Sequence, residues 1–153
     1  MKLYMGRHGD ALDPGVDPER RLSEAGHRQV ARMAAFLSGH GVRVARVLHS
    51  GKARAEETAE ALAEAVAPGA MPEVRGGLGP NDPVEPLAEE IAAWREDCLI
   101  AGHMPHLARL ATLLLTGRSL PAGLDFEPAA VACLERRGVG LWSLVWFVGP
   151  SLV

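Results

Sequence analysis

A three-layer α/β/α sandwich, with a mostly parallel sheet and a C-terminal antiparallel hairpin, is the fold class this sequence predicts. Three observations predict it. Short apolar runs ending at glycine or polar turns alternate with stretches whose apolar residues recur at helical spacing, from Leu3 to Leu114. Parallel strands joined by helices take right-handed crossovers, which cover both faces of the sheet. Last, Ala130 to Leu134 and Leu141 to Val148 flank Arg136-Arg137-Gly138-Val139-Gly140 and read as an antiparallel hairpin on one sheet edge.

In chain order, Leu3 and Met5 lie in a buried strand that arrives at Gly6-Arg7-His8-Gly9-Asp10. Residues Ala11 to Arg21 are rich in Pro, Gly, Asp and Arg and form a loop over the sheet edge. Ser23 is an N-cap, and the helix it opens runs towards Ser38, with Val30, Met33, Ala34 and Leu37 on one face and Gly39 and Gly41 at its end. Val42 to His49 is strand-like. Ser50 is expected to cap a second helix carrying Ala59, Leu62, Ala63 and Val66, which Pro68-Gly69 stops. Residues 68–83 are turn-rich, with only Glu73-Val74-Arg75 extended. Val84, Leu87, Ala88, Ile91 and Trp94 mark a third amphipathic helix, and Cys98 to Gly102 a compact buried strand. Pro105 stands where a helical first turn accepts proline, ahead of Leu107, Leu110, Ala111 and Leu114.

The chain of 153 residues is expected to be a single domain spanning 1–153, large enough for folding to remove roughly 16,000 Å² from water without a covalent staple. Its hydrophobic fraction is 48% with few aromatic residues, so Ala, Leu and Val fill most of the core. A net charge of −3 excludes any general attraction to nucleic acid or anionic membrane, so an anion has to be held by a local cluster. Cys98 and Cys133 sit in apolar runs without a C-x-x-C spacing and read as buried free thiols. The start lacks a signal-peptide core and no stretch reaches transmembrane length, so the expected location is the cytoplasm.

Chemistry gathers at three turns that this fold opens on one sheet edge. At the first, Arg7 offers a permanent fork of donors for phosphate oxygens, His8 can be nucleophile or proton carrier, and Gly9 lets a ligand approach the backbone. The second, Ser50-Gly51-Lys52-Ala53-Arg54, puts Arg54 about one turn inside a helix that begins at that edge. The third, Gly102-His103-Met104-Pro105, puts His103 at a strand-to-helix junction beside unpaired helix amides. Two arginines and two histidines converging there suit a phosphoryl dianion. His103 and His106 stand at i, i+3 and form half a metal site, but no carboxylate or thiolate partner is evident and no metal is expected. Read singly, Arg54 is an exposed helix residue that pairs with Glu57 or a neighbouring acid, while His27, His40 and His49 are surface or structural and Trp142 and Trp146 pack on the hairpin.

Taken in order, Arg7-His8-Gly9, Ser50-x-x-x-Arg54-Ala55-x-x-Thr58 and Gly102-His103 resemble the histidine phosphatase superfamily, the phosphoglycerate mutase-like group. Leu22-Ser23-Glu24-Ala25-Gly26 is similar to that family's Leu-Ser/Thr-x-x-Gly helix start, and the resemblance spans residues 2 to about 116. Arg7-His8-Gly9-Asp10-Ala11, the short length and the lack of a helical insertion look most like the SixA-type phosphohistidine phosphatases. This resemblance implies that His8 is a nucleophile carrying the phosphoryl group, and that Arg7, Arg54 and His103 hold its oxygens without metal or cofactor. Arg20 matches an arginine often seen in small members and would contact phosphate or a partner protein.

Larger phosphomonoesterase and mutase members have an acidic residue after the third strand, where this chain reads Gly76-Gly77-Leu78-Gly79-Pro80-Asn81-Asp82. Asp82 is the nearest candidate general acid. A phosphoramidate such as phosphohistidine has a better leaving group once its ring is protonated, so a missing acid fits that substrate better than a sugar phosphate. Expected substrates are therefore a phosphohistidine-bearing protein or, as the alternative, a small phosphorylated molecule. A low-turnover phosphate- or phosphoprotein-binding module is the non-enzymatic reading, and the oligomeric state is not written in these residues.

Overall fold

The computed structural model describes residues 1–119 and 123–153. Leu120, Pro121 and Ala122, part of the connection expected before the hairpin, lie outside the described residues. The elements are β1 (Lys2–Arg7), α1 (Glu24–Gly39), β2 (Arg46–His49), α2 (Ala53–Val66), β3 (Glu73–Val74), α3 (Glu85–Ala93), β4 (Cys98–Gly102), α4 (His106–Thr116), β5 (Val131–Gly138) and β6 (Leu141–Val148). Their strands form a six-stranded sheet of order β3-β2-β4-β1-β5-β6.

The expected sandwich is the observed one. β2 pairs in parallel with β3 and β4, and β4 with β1, while β5 runs antiparallel to β1 and β6 antiparallel to β5. The pleat divides the side chains into two cores. Leu3, Met5, Leu48 and Ile100 pack with Leu87 and Ile91 of α3 and Leu107 and Leu110 of α4. Tyr4, Val47, Leu99 and Ala101 pack with Val30, Met33 and Leu37 of α1 and Leu62 and Val66 of α2 on the opposite face. Central β4 is buried at every position, which explains its unbroken apolar run. Cys98 and Cys133 are buried free thiols, as their setting predicted.

Three boundaries differ from expectation, the first at the hairpin: β5 continues to Gly138, because Arg136 pairs with Trp142 and Gly138 with Leu141, so the turn narrows to Val139 and Gly140. β2 begins at Arg46 rather than Val42, because the amide of Val44 donates to the Val66 carbonyl at the end of α2 and that of Ala45 to the Asp97 carbonyl. Val42 and Val44 still bury their side chains, which is the signal the sequence carried. Pro105 caps α4 one position ahead of its first turn. The marginal strand expected near Glu73 is real and two residues long.

Because β1, β2 and β4 are parallel neighbours, the turns that follow them open on one edge. The register places Arg7 opposite Gly102 and His49 opposite Ala101. That brings residues 7–10, 50–54 and 103–106 together from three distant parts of the chain.

Candidate active site

Backbone bonds set the first turn before any side chain acts. The amide of His8 donates to the Gly102 carbonyl at 3.0 Å, and the amide of Ala129 to the His8 carbonyl at 3.1 Å. Gly9 donates its N–H to Thr58 Oγ1 at 3.1 Å, while the Thr58 hydroxyl donates to the Arg54 carbonyl at 2.7 Å. Thr58 is fully buried, so it ties the β1 turn to the first turns of α2.

The helix α1 closes the turn from the other side. Ser23 caps it as predicted, accepting from the Gly26 amide at 3.0 Å, and its hydroxyl donates to Asp10 Oδ2 at 2.5 Å. Contact is so close that a Cβ on Gly26 would stand 2.0 Å from the Asp10 carbonyl oxygen, and one on Gly9 2.8 Å from the Gly26 carbonyl oxygen. Glycine is required at both positions. The Leu-Ser-x-x-Gly pattern is thus a docking device for the turn that carries His8.

His8 is half-buried, and its Nδ1 lies 2.7 Å from the Gly9 carbonyl. A carbonyl oxygen only accepts, so Nδ1 carries the proton and Nε2 keeps its lone pair. That lone pair faces Arg54, whose Nε donates to Nε2 at 3.3 Å. Burial pushes the His8 pKa down to about 4, with the Arg54 and Arg7 charges in the same direction and the Gly9 carbonyl opposing them. His8 is therefore a neutral nitrogen base at pH 7.

His103 is buried, with its ring centroid 5.0 Å from that of His8. Its Nε2 lies 2.6 Å from Ser50 Oγ, while Nδ1 has no hydrogen-bond partner among the described residues. Burial first, then the neighbouring His8 and Arg54, push its pKa down to about 3. Arg7 donates from Nη1 to the Phe126 carbonyl at 2.5 Å and leaves a buried Nε unpartnered among the described residues.

Arg20 has a left-handed backbone (φ 53°) and donates from Nε to the Leu12 carbonyl at 3.2 Å. With Lys52 and Arg54 it lines a cavity of about 810 Å³, and its charge joins burial in lowering the Arg54 pKa. The structure thus brings it to the rim. Asp82 takes another position: Oδ2 accepts from the Gly79 amide at 2.8 Å within its own turn. It lines a second cavity of about 470 Å³ with Ser50 and Lys52, and among the described residues no hydrogen bond or ion pair joins it to His8, Arg54 or His103.

One expectation is overturned. Ser50 does not cap α2; the N-cap is Lys52, without a side-chain cap bond, because Gly51 in the left-handed region (φ 82°) separates Ser50 from the helix. Sequence reading missed the pairing of Ser50 with His103 and the carbonyl of Phe126, 119 residues from Arg7. The role of Thr58 had a signal, its i, i+4 spacing from Arg54. Phe126 had none. Among the described residues no group of three or more His, Cys, Asp or Glu is placed to hold a metal ion, and none of their helices is long and apolar enough to cross a membrane.

A sheet edge carrying a neutral histidine, a second buried histidine and two arginines has the chemistry that covalent phosphoryl transfer requires. The profile of the histidine phosphatase superfamily (branch 1) matches residues 3–78. This chain belongs to the histidine phosphatase superfamily and is a phosphatase. It is 29% identical to phosphohistidine phosphatase SixA of Escherichia coli (strain K12), over 98% of this chain and 94% of that one. A solved structure of the protein histidine phosphatase SixA complexed with tungstate superposes with a TM-score of 0.87 at 28% identity, covering 99% of each chain. An uncharacterized protein of Picosynechococcus sp. (strain ATCC 27264 / PCC 7002 / PR-6) is 30% identical over 78% of this chain and 76% of its own.

Proposed function

We propose that residues 1–153 form one catalytic domain that removes the phosphoryl group from a protein phosphohistidine through a phosphohistidine intermediate on His8. The observation that carries this reading is the His8 ring itself. Its proton is held on Nδ1 by the Gly9 carbonyl, and its Nε2 lone pair faces the space shared with Arg54.

The residues would divide the reaction as follows. Arg7, Arg54 and His103 bind the three non-bridging oxygens, and Arg54 exchanges its bond to Nε2 for one to the phosphoryl group. Nε2 then attacks phosphorus in line as the P–N bond to the substrate ring breaks. The electron pair of that bond passes to the substrate nitrogen, and the ring, protonated at its other nitrogen, leaves as neutral imidazole. No enzyme acid is needed for that step, which accords with Asp82 being bonded within its own turn. Water then attacks phosphorus, the His8–phosphorus bond breaks, and inorganic phosphate leaves. Arg20, at the rim, adds positive charge where phosphate and its carrier protein approach.

The test is phosphate release from a phosphohistidine-bearing protein and from a simple phosphomonoester, each with the unmodified chain and with His8→Ala. Faster release from the phosphohistidine protein, abolished in the variant, is expected. Preference for the ester would identify a small-molecule phosphomonoesterase, and binding without release of either would identify a phosphate-binding module.

A further inference from the structure

Ser50 opens the Ser50-x-x-x-Arg54-Ala55-x-x-Thr58 motif, yet it neither caps α2 nor takes part in the reaction just described. Its Oγ is 2.6 Å from His103 Nε2 and 3.3 Å from the backbone nitrogen of Lys52. A backbone N–H only donates, so Lys52 occupies one acceptor position on the hydroxyl oxygen. The question is which ring nitrogen of His103 holds the proton.

The surroundings of the ring decide it. Nδ1 is buried without a partner among the described residues, so a proton there would be a buried donor with nothing to accept it. A proton on Nε2 has an acceptor at 2.6 Å. The two choices are unequal, because an unpaired buried donor loses a full hydrogen bond to water. The backbone reinforces the contact: Gly51 turns through φ 82° and donates its N–H to His49 Nδ1 at 3.2 Å, which holds Ser50 at the end of β2.

We infer that Ser50 is a positioning residue that accepts the Nε2 proton of His103, locks the ring in the Nε2–H tautomer, and yields that hydrogen bond to a phosphoryl oxygen when substrate binds. A phosphoryl oxygen carries charge and is the stronger acceptor. With both acceptor positions of Oγ taken in the free enzyme, the serine's own hydrogen is left to turn towards the same phosphoryl group. Without Ser50 the ring has no acceptor at either nitrogen among the described residues, and the tautomer that donates to phosphate is no longer preferred.

The activity side of this inference rests on the phosphatase reading above, whereas the tautomer can be read without any substrate. Nitrogen-15 correlation spectra of the unmodified chain at pH 7 are expected to show His103 protonated on Nε2, with Ser50→Ala giving a mixture of tautomers and Ser50→Thr restoring the first. Phosphate release should fall about 10- to 100-fold in kcat for Ser50→Ala and recover in Ser50→Thr. A proton on Nδ1 in the unmodified chain overturns the inference whatever the activity shows. So does an Nε2–H tautomer that persists unchanged in Ser50→Ala. If the chain releases no phosphate from any substrate, the catalytic reading fails while the tautomer result still decides the role of Ser50.

Discussion

The turn after β1 and the loop from Gly76 to Asp82 lie on the same edge of the sheet and are held in different ways. Residues 7–10 are held from four directions: the Gly102 carbonyl, the Ala129 amide, the Thr58 hydroxyl and the Ser23 cap. The 76–82 loop is held instead by the fully buried side chain of Leu78 in the core, and its polar bonds, between Asp82 and Gly79, stay within the loop. Attack on phosphorus tolerates little error in position, and the proposed nucleophile, His8, sits on a turn fixed by these bonds. Asp82 keeps its carboxylate bonded to the Gly79 amide and, among the described residues, makes no hydrogen bond to His8, Arg54 or His103. That arrangement accords with the proposed phosphohistidine substrate, whose leaving group needs no enzyme acid.

Gly26→Ala is expected to have the largest effect, because a Cβ 2.0 Å from the Asp10 carbonyl oxygen forces α1 and the His8 turn apart. Denaturant unfolding should show a loss of about 3 kcal/mol or more, with phosphate release falling in parallel. A stable, active variant would mean that the turn is far less rigid than its contacts indicate. Thr58→Val keeps the volume but removes two buried hydrogen bonds, one from Gly9 and one to Arg54. Here stability should drop by about 1–3 kcal/mol, and kcat should suffer more than KM because His8 loses its fixed direction.

Burial of the His8 turn also makes stability depend on pH. The unfolded chain protonates its histidines near pH 6.5, about the ordinary value, whereas His8 in the folded chain waits until about 4. Between those values the unfolded state binds more protons, so folding stability is fully present above the unfolded value and is lost as pH falls from about 6.5 towards 4. Tm should therefore fall across this interval, and the decline should be shallower in His8→Gln. A ring titration of His8 by NMR with its midpoint near the ordinary value would break the argument that burial keeps the nucleophile neutral.

Asp82→Asn should have the smallest effect, with phosphohistidine hydrolysis changing by no more than about twofold, since among the described residues Asp82 makes no hydrogen bond to His8 or His103. A tenfold loss would restore Asp82 as the acid and erase the contrast between the two segments.

Residues at fixed local spacing were readable in advance. The apolar periodicities of α1, α2 and α4 and the buried run of β4 predicted the layers, and Ser23 announced its cap. Arg7, His8, Arg54 and His103 were legible for a related reason: each lies where an element meets the catalytic edge, so element order alone brings them together. The start of β2 was not legible, because burial of Val42 and Val44 looks the same whether their amides join a strand or the end of a helix.

The sequence by itself therefore determined the order of elements, the faces they bury and which four residues reach the edge, since periodicity and turn chemistry are local properties. Only the tertiary structure decided what holds those residues. The Phe126 carbonyl on Arg7, Thr58 beneath Gly9 and Ser50 against His103 are contacts across 119, 49 and 53 residues. A backbone carbonyl leaves no mark in residue identity, and a hydroxyl suits a cap as well as a histidine. Which one it serves depends on the turn of Gly51, visible only once the chain has folded.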